Sequence, residues 1–497
     1  MAASEQTEVE LKLDVPAGQA APDLRVLPGV VRAVGPQEYT LDATYYDTES
    51  LDLAGNRITL RRRTGGTDAG WTLKRPSDIP GGRREMSIGF DEAPADGDLP
   101  ADLVDPILAL TRRRPLTPVA AISTVRTVTT LIGLDETPLA EFADDRVTAQ
   151  SLLPGGHSQQ WSEWEFELLP GGNRRLLKAA DKLLRRAGGD DASSESKLAR
   201  AIGSTPSIGA PHLGKRPTAL ELVVTDLAIH RNSMIAQDPL VRVDAEDAVH
   251  QMRVATRRLR SVLSGFPTVL DGDRTAHVAD ELKLLARILG EARDSEVQLE
   301  IDSSLLDAES ASDELTAALA GAESTVHDHA ISAAHRAMNS DRYFRLLDAV
   351  DALIADPPAG PDADMPATKA VDAAIAKSRK HIRKAQDALA ALPEGSPEWQ
   401  EQLHTIRKRA KRLRYSTDSA GPLNDKRYKA VAQVAKQIQS ALGDVNDAHL
   451  TRERLAELAA SGILSGPDMF VLGRIDARVE ADAARAVEAY RKAAKKL

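Results

Sequence analysis

One segment of this chain is written twice, and the duplication constrains the fold more than any other feature. His250-x-x-Arg253-x-x-x-Arg257-Arg258-Leu259-Arg260 returns as His404-x-x-Arg407-x-x-x-Lys411-Arg412-Leu413-Arg414. Downstream, Lys283 and Leu289-Gly290-x-x-x-Asp294 return as Lys436 and Leu442-Gly443-x-x-x-Asp447 at a nearly constant offset. Matched chemistry at matched spacing predicts a duplicated unit that folds with pseudo-two-fold symmetry. From about residue 217 the sequence is alanine-rich and breaks near Asp271-Gly272, Asp356-Pro357-Pro358, Pro393 to Pro397 and Gly421-Pro422, so helical hairpins are expected. The two repeats then fall at about 217–355 and 366–497.

On a helix turning about 100° per residue, His250, Arg253, Arg257 and Arg260 lie within about 80° of arc, as do His404, Arg407, Lys411 and Arg414. A solvated helix offsets such repulsion with acids one turn away, and neither run contains one. One such helix is ordinary surface charge. Two copies with matched spacing point to a concave basic surface facing an extended polyanion. The whole chain carries a net charge of −10, which argues against a general nucleic-acid binder.

The first 200 residues read differently. Short alternating segments recur (EVELKLDV, RITLRRR, WTLKRP, REMSIGF, STVRTVTTLIG, WSEWEFELL), punctuated by turns such as Thr64-Gly65-Gly66 and Pro154-Gly155-Gly156. One helix interrupts them, from Arg174 to Ala187 with Gly188 after it. In a strand, Glu8, Glu10 and Lys12 share a face, as do Arg57, Thr59, Arg61 and Arg63, Thr72 and Lys74, and Glu163, Glu165 and Glu167. Any one of these is common in a half-solvated antiparallel sheet. Taken together they are more specific. A barrel closed with these faces inward holds carboxylates suited to Mg²⁺ or Mn²⁺ beside cations suited to phosphoryl oxygens, the equipment of metal-assisted phosphoryl transfer.

These residues resemble the signature of the CYTH, or triphosphate tunnel metalloenzyme, family. Glu8-x-Glu10-x-Lys12 opens it, followed in family order by Thr59-x-Arg61-x-Arg63, Leu73-Lys74-x-Pro76, Glu85, Arg126, Asp144-Asp145, Glu163-x-Glu165-x-Glu167 and Ser196-Lys197. The resemblance covers roughly residues 5–203 and implies an eight-stranded antiparallel tunnel. By it, Glu8, Glu10, Glu163 and Glu165 hold the metals, with Glu167 and Asp145 as further candidates. Lys12, Arg61, Arg63, Lys74, Arg126 and Lys197 grip the triphosphate, with Arg57 at the rim. The metal shields phosphate charge and orients the attacking water. No residue stands out as general base.

The duplicated helices resemble the CHAD family, named for its histidine-bearing α-helical domain, over about 217–497. The resemblance implies two four-helix bundles around a basic groove for inorganic polyphosphate. It carries over to His250, Arg253, Arg257, Arg258, Arg260, Lys283, Arg287 and Arg293 in the first repeat. In the second it gives His404, Arg407, Lys408, Lys411, Arg412, Arg414 and Lys436. Arg287 has Ser440 at the repeat position, so the symmetry is imperfect there. Asp294 and Asp447 are expected to hold arginines in place. His327, His329 and His335 do not share one helical face, which speaks against a metal site among them.

The expected organisation is an α+β chain of two domains: a triphosphate tunnel at 1–203, a linker at 204–216 rich in Gly, Pro and Ser, and an all-α duplicated domain at 217–497. The absence of cysteine excludes thiol chemistry. No apolar run approaches the roughly 20 residues that span a bilayer. MAASEQTEVE carries no signal pattern, so a cytoplasmic protein is expected, with polyphosphate granules as a place of association. The expected activity is metal-dependent hydrolysis of inorganic triphosphate, with inorganic polyphosphate as a second partner. The alternatives are a non-catalytic polyphosphate-binding protein, or a barrel acting on thiamine triphosphate or cyclising ATP.

Overall fold

A computed structural model describes residues 4–77, 82–93, 99–203, 213–309, 312–423, 426–462 and 464–497. The chain forms two compact units, Met1–Gly209 and Ala210–Leu497. The expected linker falls mostly on residues outside those described.

The first unit is a closed antiparallel barrel of eight strands: β1 (Ser4–Val15), β2 (Arg32–Asp47), β3 (Thr59–Thr64), β4 (Gly70–Pro76), β5 (Gly82–Gly89), β6 (Thr117–Ile132), β7 (Pro138–Ser151) and β8 (Ser158–Leu168). A two-residue β9 (Asp190–Asp191) adds to β1. The order β5-β4-β3-β2-β6-β7-β8-β1 closes because β1 changes partner along its length. Its first half pairs with β5 as far as Val9, and its second half pairs with β8 from Glu10 onward. Glu8 and Glu10 therefore stand at the seam. Closure leaves no strand edge exposed and fixes an inside and an outside for every alternating pair.

Charged residues take the inside; the apolar partners take the outside. Leu13, Trp164, Phe166, Phe142 and Leu131 are buried beneath a helix that carries Leu176, Ala180 and Leu184. This helix (Arg174–Arg186) follows three one-turn helices, α1 (Asp52–Gly55), α2 (Ala101–Val104) and α3 (Leu108–Thr111), and is α4. Asn173 caps it by accepting from the Arg175 and Leu176 amides, and Gly188 ends it at a φ of 107°. A shorter helix, α5 (Lys197–Ile202), is capped by Ser196, which accepts from the Ala199 amide. Its Leu198 and Ala201 pack among Ala43, Val119, Ile122, Val147 and Trp161, so α5 sits against the wall and brings Lys197 to the lumen.

β2 and β7 were not among the expected strands. The first half of β2 is exposed on both faces and interrupted at Gly35-Pro36, so it shows no alternation. In β7 the adjacent Asp144 and Asp145 mask the period; only Asp145 is fully buried.

The second unit is helical: α6 (Ala219–Arg242), α7 (Ala248–Gly265), α8 (Gly272–Glu309), α9 (Asp313–Met338), α10 (Asp341–Ala355), α11 (Ala367–Ala390), α12 (Pro397–Asp418), α13 (Lys426–Ala460) and α14 (Gly466–Ala494). Sequential neighbours pack in each repeat, α6 to α9 and α11 to α14, and α7 packs on α12 where the repeats meet. The N-caps of α6 and α11, Thr218 and Pro366, bridge each other. One element breaks the symmetry. α10 packs back on α6 and α8, and among the described residues the second repeat has no such helix.

Candidate active site and basic helical face

Strand register places the barrel's charges opposite one another. Across β1 and β8, Glu10 faces Glu167 and Lys12 faces Glu165. Arg126 faces Asp145 across β6 and β7, and Asp145 faces Glu163 across β7 and β8. Lys74 faces Glu85 across β4 and β5. Glu10, Lys12, Lys74, Glu85, Arg126, Glu165 and Glu167 line one cavity with Arg61, Arg63 and Lys197; Asp145 and Glu163 are buried beside Glu165.

The ion pairs fall into two groups. Lys74 reaches Glu8 at 2.6 Å and Glu85 at 2.7 Å. Burial and the adjacent Glu85 carboxylate push Glu8 up to about 7, against the pull of Lys74. Lys74 and the hydrogen bond with Glu8 hold Glu85 down at about 2, outweighing its own burial. The two carboxylates thus titrate as a pair, with Glu8 the one that keeps its proton to higher pH.

In the second group Lys12 lies 2.8 Å from Glu165 and 3.4 Å from Glu10. Arg126 grips Asp145 through two bonds of 2.8 and 2.6 Å and also donates to Glu165. Lys197 touches Asp145 at 2.9 Å and Glu165 at 2.7 Å, and pairs with Glu163 as well. Burial works against charge at Glu165, yet Lys12, Lys197 and Arg126 outweigh it and hold this carboxyl well below its usual range. Burial raises Glu167.

The oxygen atoms of Asp145, Glu163 and Glu165 lie within 4.8 Å of one another, and all three residues are buried. A donor set of converging carboxylate oxygens without nitrogen or sulfur suits a hard divalent cation. Of the six expected metal ligands these three converge. Glu8, Glu10 and Glu167 line the same cavity nearer Lys74 and Lys12.

The opposite wall is cationic. Arg61 and Arg63 project from β3, and burial together with Arg61 and Arg126 pulls Arg63 down to about 9. Arg63 pairs with Asp68 of the β3–β4 turn. Arg57 does not join them. It precedes β3 at a φ of 61° and pairs at 2.7 Å with Glu195. The left-handed turn there takes it out of the strand's alternation.

Tyr45 and Arg83 line the same cavity and were not singled out in the sequence. Arg83 and the expected landmark Glu85 alternate on β5, a signal present in the sequence. Tyr45 carries no such signal, because β2 was not read as a strand. It is buried, and although burial raises its pKa, Arg61, Lys197 and Arg63 make the net shift downward.

In the helical unit the two motifs converge. Lys411 on α12 is pulled down to about 7, chiefly by burial and then by Arg257, Arg407, Arg253 and Arg260. α7 packs on α12, with Arg257 and Arg258 over the ring of Tyr415 at 5.6 and 5.0 Å, so the two basic faces meet. His250 and His404 are both lowered, by burial and then by neighbouring cations, Arg293 for the first and Lys408 for the second. The repeated glycines have matching neighbours. A Cβ at Gly290 would stand 3.5 Å from Arg253, and one at Gly443 would stand 3.5 Å from Arg407, so each arginine lies flat over a glycine of the next helix.

The other expected ligands differ in setting. Arg258 pairs with Asp418 of α12 at 2.5 Å, and Arg412 donates to the Ser264 carbonyl at 2.9 Å, so both tie the repeats together. Tyr415, which follows the second motif, is buried with Arg257, Arg258 and Arg414 over its ring. Asp294 pairs with Arg253 at 3.3 Å, and Arg293 pairs with Glu296 at 2.9 Å. Arg260 and Arg407 are part-exposed, while Lys283, Arg287, Lys408 and Lys436 are exposed. The three histidines of α9 stay apart: His335 contacts the Val241 carbonyl at 3.0 Å, and His327 lies with Asp244 and Glu296.

Comparison with known proteins agrees with this division. Residues 6–202 match the CYTH domain family and residues 225–456 the CHAD domain family. Two Mycobacterium tuberculosis proteins, Uncharacterized protein MT2285 and Uncharacterized protein Rv2226, are each 40% identical over 484 residues, covering 94% of this chain and 91% of theirs. Among solved structures, the CHAD domain from the plant Ricinus communis is similar over 58% of this chain and 96% of its own, at 23% identity and a TM-score of 0.46. A putative adenylyl cyclase, HpAC1 from Hippeastrum, described as revealing a dominant triphosphatase activity, is similar over 39% of this chain and 93% of its own, at 18% identity and a TM-score of 0.24. The chain is a CYTH domain followed by a CHAD domain, and it belongs to the two-domain family of its mycobacterial relatives.

Proposed function

We propose that the barrel hydrolyses inorganic triphosphate with Mg²⁺ or Mn²⁺ and that the helical unit binds inorganic polyphosphate. The observation that carries this is the buried Asp145–Glu163–Glu165 cluster, which reaches through Glu165 into the cavity that the arginines of β3 also line. These three carboxylates would hold the metal, which when bound neutralises phosphate charge and polarises a phosphoryl oxygen. CYTH membership supports an enzyme that acts on triphosphates.

The chain's own residues account for the rest. Arg61, Arg63 and Arg126 offer forked donors that match phosphoryl oxygens, and Lys12, Lys74 and Lys197 add point charges. The lysines and Arg126 pair with the carboxylates, and a triphosphate carries enough negative charge to compete for them. Tyr45 is the one aromatic ring among the described lining residues, so little apolar surface is offered to a nucleobase or to thiamine. This favours the inorganic substrate.

A panel of tripolyphosphate, thiamine triphosphate and ATP with Mg²⁺ and Mn²⁺ tests the assignment. Tripolyphosphate should be turned over faster than either organic triphosphate. Faster turnover of thiamine triphosphate, or cyclic AMP from ATP, would reassign the substrate; no turnover of any would leave the helical unit's binding as the function.

A further inference from the structure

The broken symmetry of the second unit exposes a surface that the duplicated motifs do not include. Because Thr218 and Pro366 are bridged N-caps, α6 and α11 can be compared position by position. Arg231 and Arg379 stand at the same distance from their caps. In the first repeat Arg231 is buried and gripped by Asp351 of α10 through bonds of 2.6 and 3.0 Å. In the second repeat the corresponding face of α11 opens on a cleft lined by Ile375, Arg379, Lys380, Arg383 and Lys384 together with Asp372 and Asp387. The Nε of Arg379 is buried without a hydrogen-bond partner among the described residues.

Its neighbours have changed to match. Where α6 has Asn232, Ile235 and Ala236, α11 has Lys380, Arg383 and Lys384, all three exposed. No acid lies between Asp372 and Asp387. Four cations on one face of one helix repel each other in the free protein, and within α11 the one acid a turn away, Asp387, answers Arg383 and Lys384 but not Arg379 or Lys380. The carboxylate that closes the site in one repeat is replaced in the other by a demand for an external anion. A docked acidic helix would need apolar contact of the kind a buried Ile235 can supply on α6, and that position is converted to an exposed Arg383. A phosphate chain needs only the charge.

We propose that this face of α11 is a second polyanion site, which takes a further stretch of the inorganic polyphosphate chain held at α7 and α12. The proposal rests on polyphosphate being the ligand of those helices. Two sites joined by one ligand strengthen binding only when the ligand is long enough to occupy both, so the α11 face makes the protein selective for chain length.

The test uses the full chain with Lys380→Glu, Arg383→Glu and Lys384→Glu combined, checked by circular dichroism. Affinities are measured for long polyphosphate (roughly a hundred phosphates), short polyphosphate (roughly ten) and poly-L-glutamate, across a salt series. The variant should bind long chains about tenfold or more weakly and lose two to three from the slope of log affinity against log salt, about one per contact. Short-chain binding and tripolyphosphate hydrolysis should not change. Unchanged long-chain affinity and slope would overturn the proposal while leaving the α7 and α12 reading intact. Loss of poly-L-glutamate binding alone would overturn it in favour of a protein partner. Wild-type protein that binds neither polyphosphate would overturn both readings.

Discussion

At the scale of single residues, the lumen is a set of charges that satisfy each other until substrate arrives. Glu165 shows this most clearly, since Lys12, Arg126 and Lys197 all converge on it. Removing it leaves three part-buried cations facing one another and takes away one of three converging oxygen ligands. Glu165→Ala should reduce turnover of tripolyphosphate by at least about a hundredfold, and Glu165→Gln, which keeps the volume, should fail nearly as badly. Activity within a few-fold of wild type in either variant would remove Glu165 from the metal set. Lys411 makes a second residue-level prediction. Its charge is disfavoured in the free protein, with a pKa of about 7. A bound polyanion favours the charged form, so binding takes up a proton above that pH. Affinity for polyphosphate at fixed ionic strength should therefore rise as pH falls toward neutrality and level off below it, until His250 and His404 begin to charge. Lys411→Arg, charged throughout, should flatten the rise near neutrality. A wild-type affinity independent of pH would show that Lys411 does not meet the ligand.

At the scale of elements, much of the site follows from two periods. The period of two in EVELKLDV and WSEWEFELL already assigned Glu8, Glu10, Lys12, Glu163 and Glu165 to one face, because closure of the sheet can only turn that face in or out. The period of 3.6 in the duplicated motif likewise placed Arg253 and Arg257 beside one another. What the sequence could not show is which faces meet. Nothing in α12 alone says that Lys411 lies against three cations of α7, and nothing near Ser196 says that a short apolar helix carries Lys197 into the lumen. Arg57 failed as a strand residue because one left-handed φ breaks the alternation. The convergence of α7 and α12 is itself testable. Arg253→Glu with Arg257→Glu should weaken long-chain polyphosphate binding, and adding Arg407→Glu with Lys411→Glu should abolish it, with loss of roughly one from the salt slope per contact. Double-stranded DNA bound equally well at matched ionic strength would reduce the face to a non-specific basic surface.

At the scale of the whole molecule, the two units carry separate chemistry. The barrel closes its own sheet and buries its own core, so residues 1–209 should fold and hydrolyse tripolyphosphate without the helices; a fragment folded by circular dichroism yet inert would place the active site elsewhere. Among the described residues no helix is long and apolar enough to cross a membrane, and the anionic partners expected of both units are water-soluble polymers of phosphate. The central claim is that converging carboxylates make the barrel a metalloenzyme. Its most direct test is phosphate release from tripolyphosphate by the full chain, stripped with EDTA and then titrated with Mg²⁺ or Mn²⁺. The predicted result is no release after stripping and recovery on adding either ion; undiminished release from metal-free protein would contradict it.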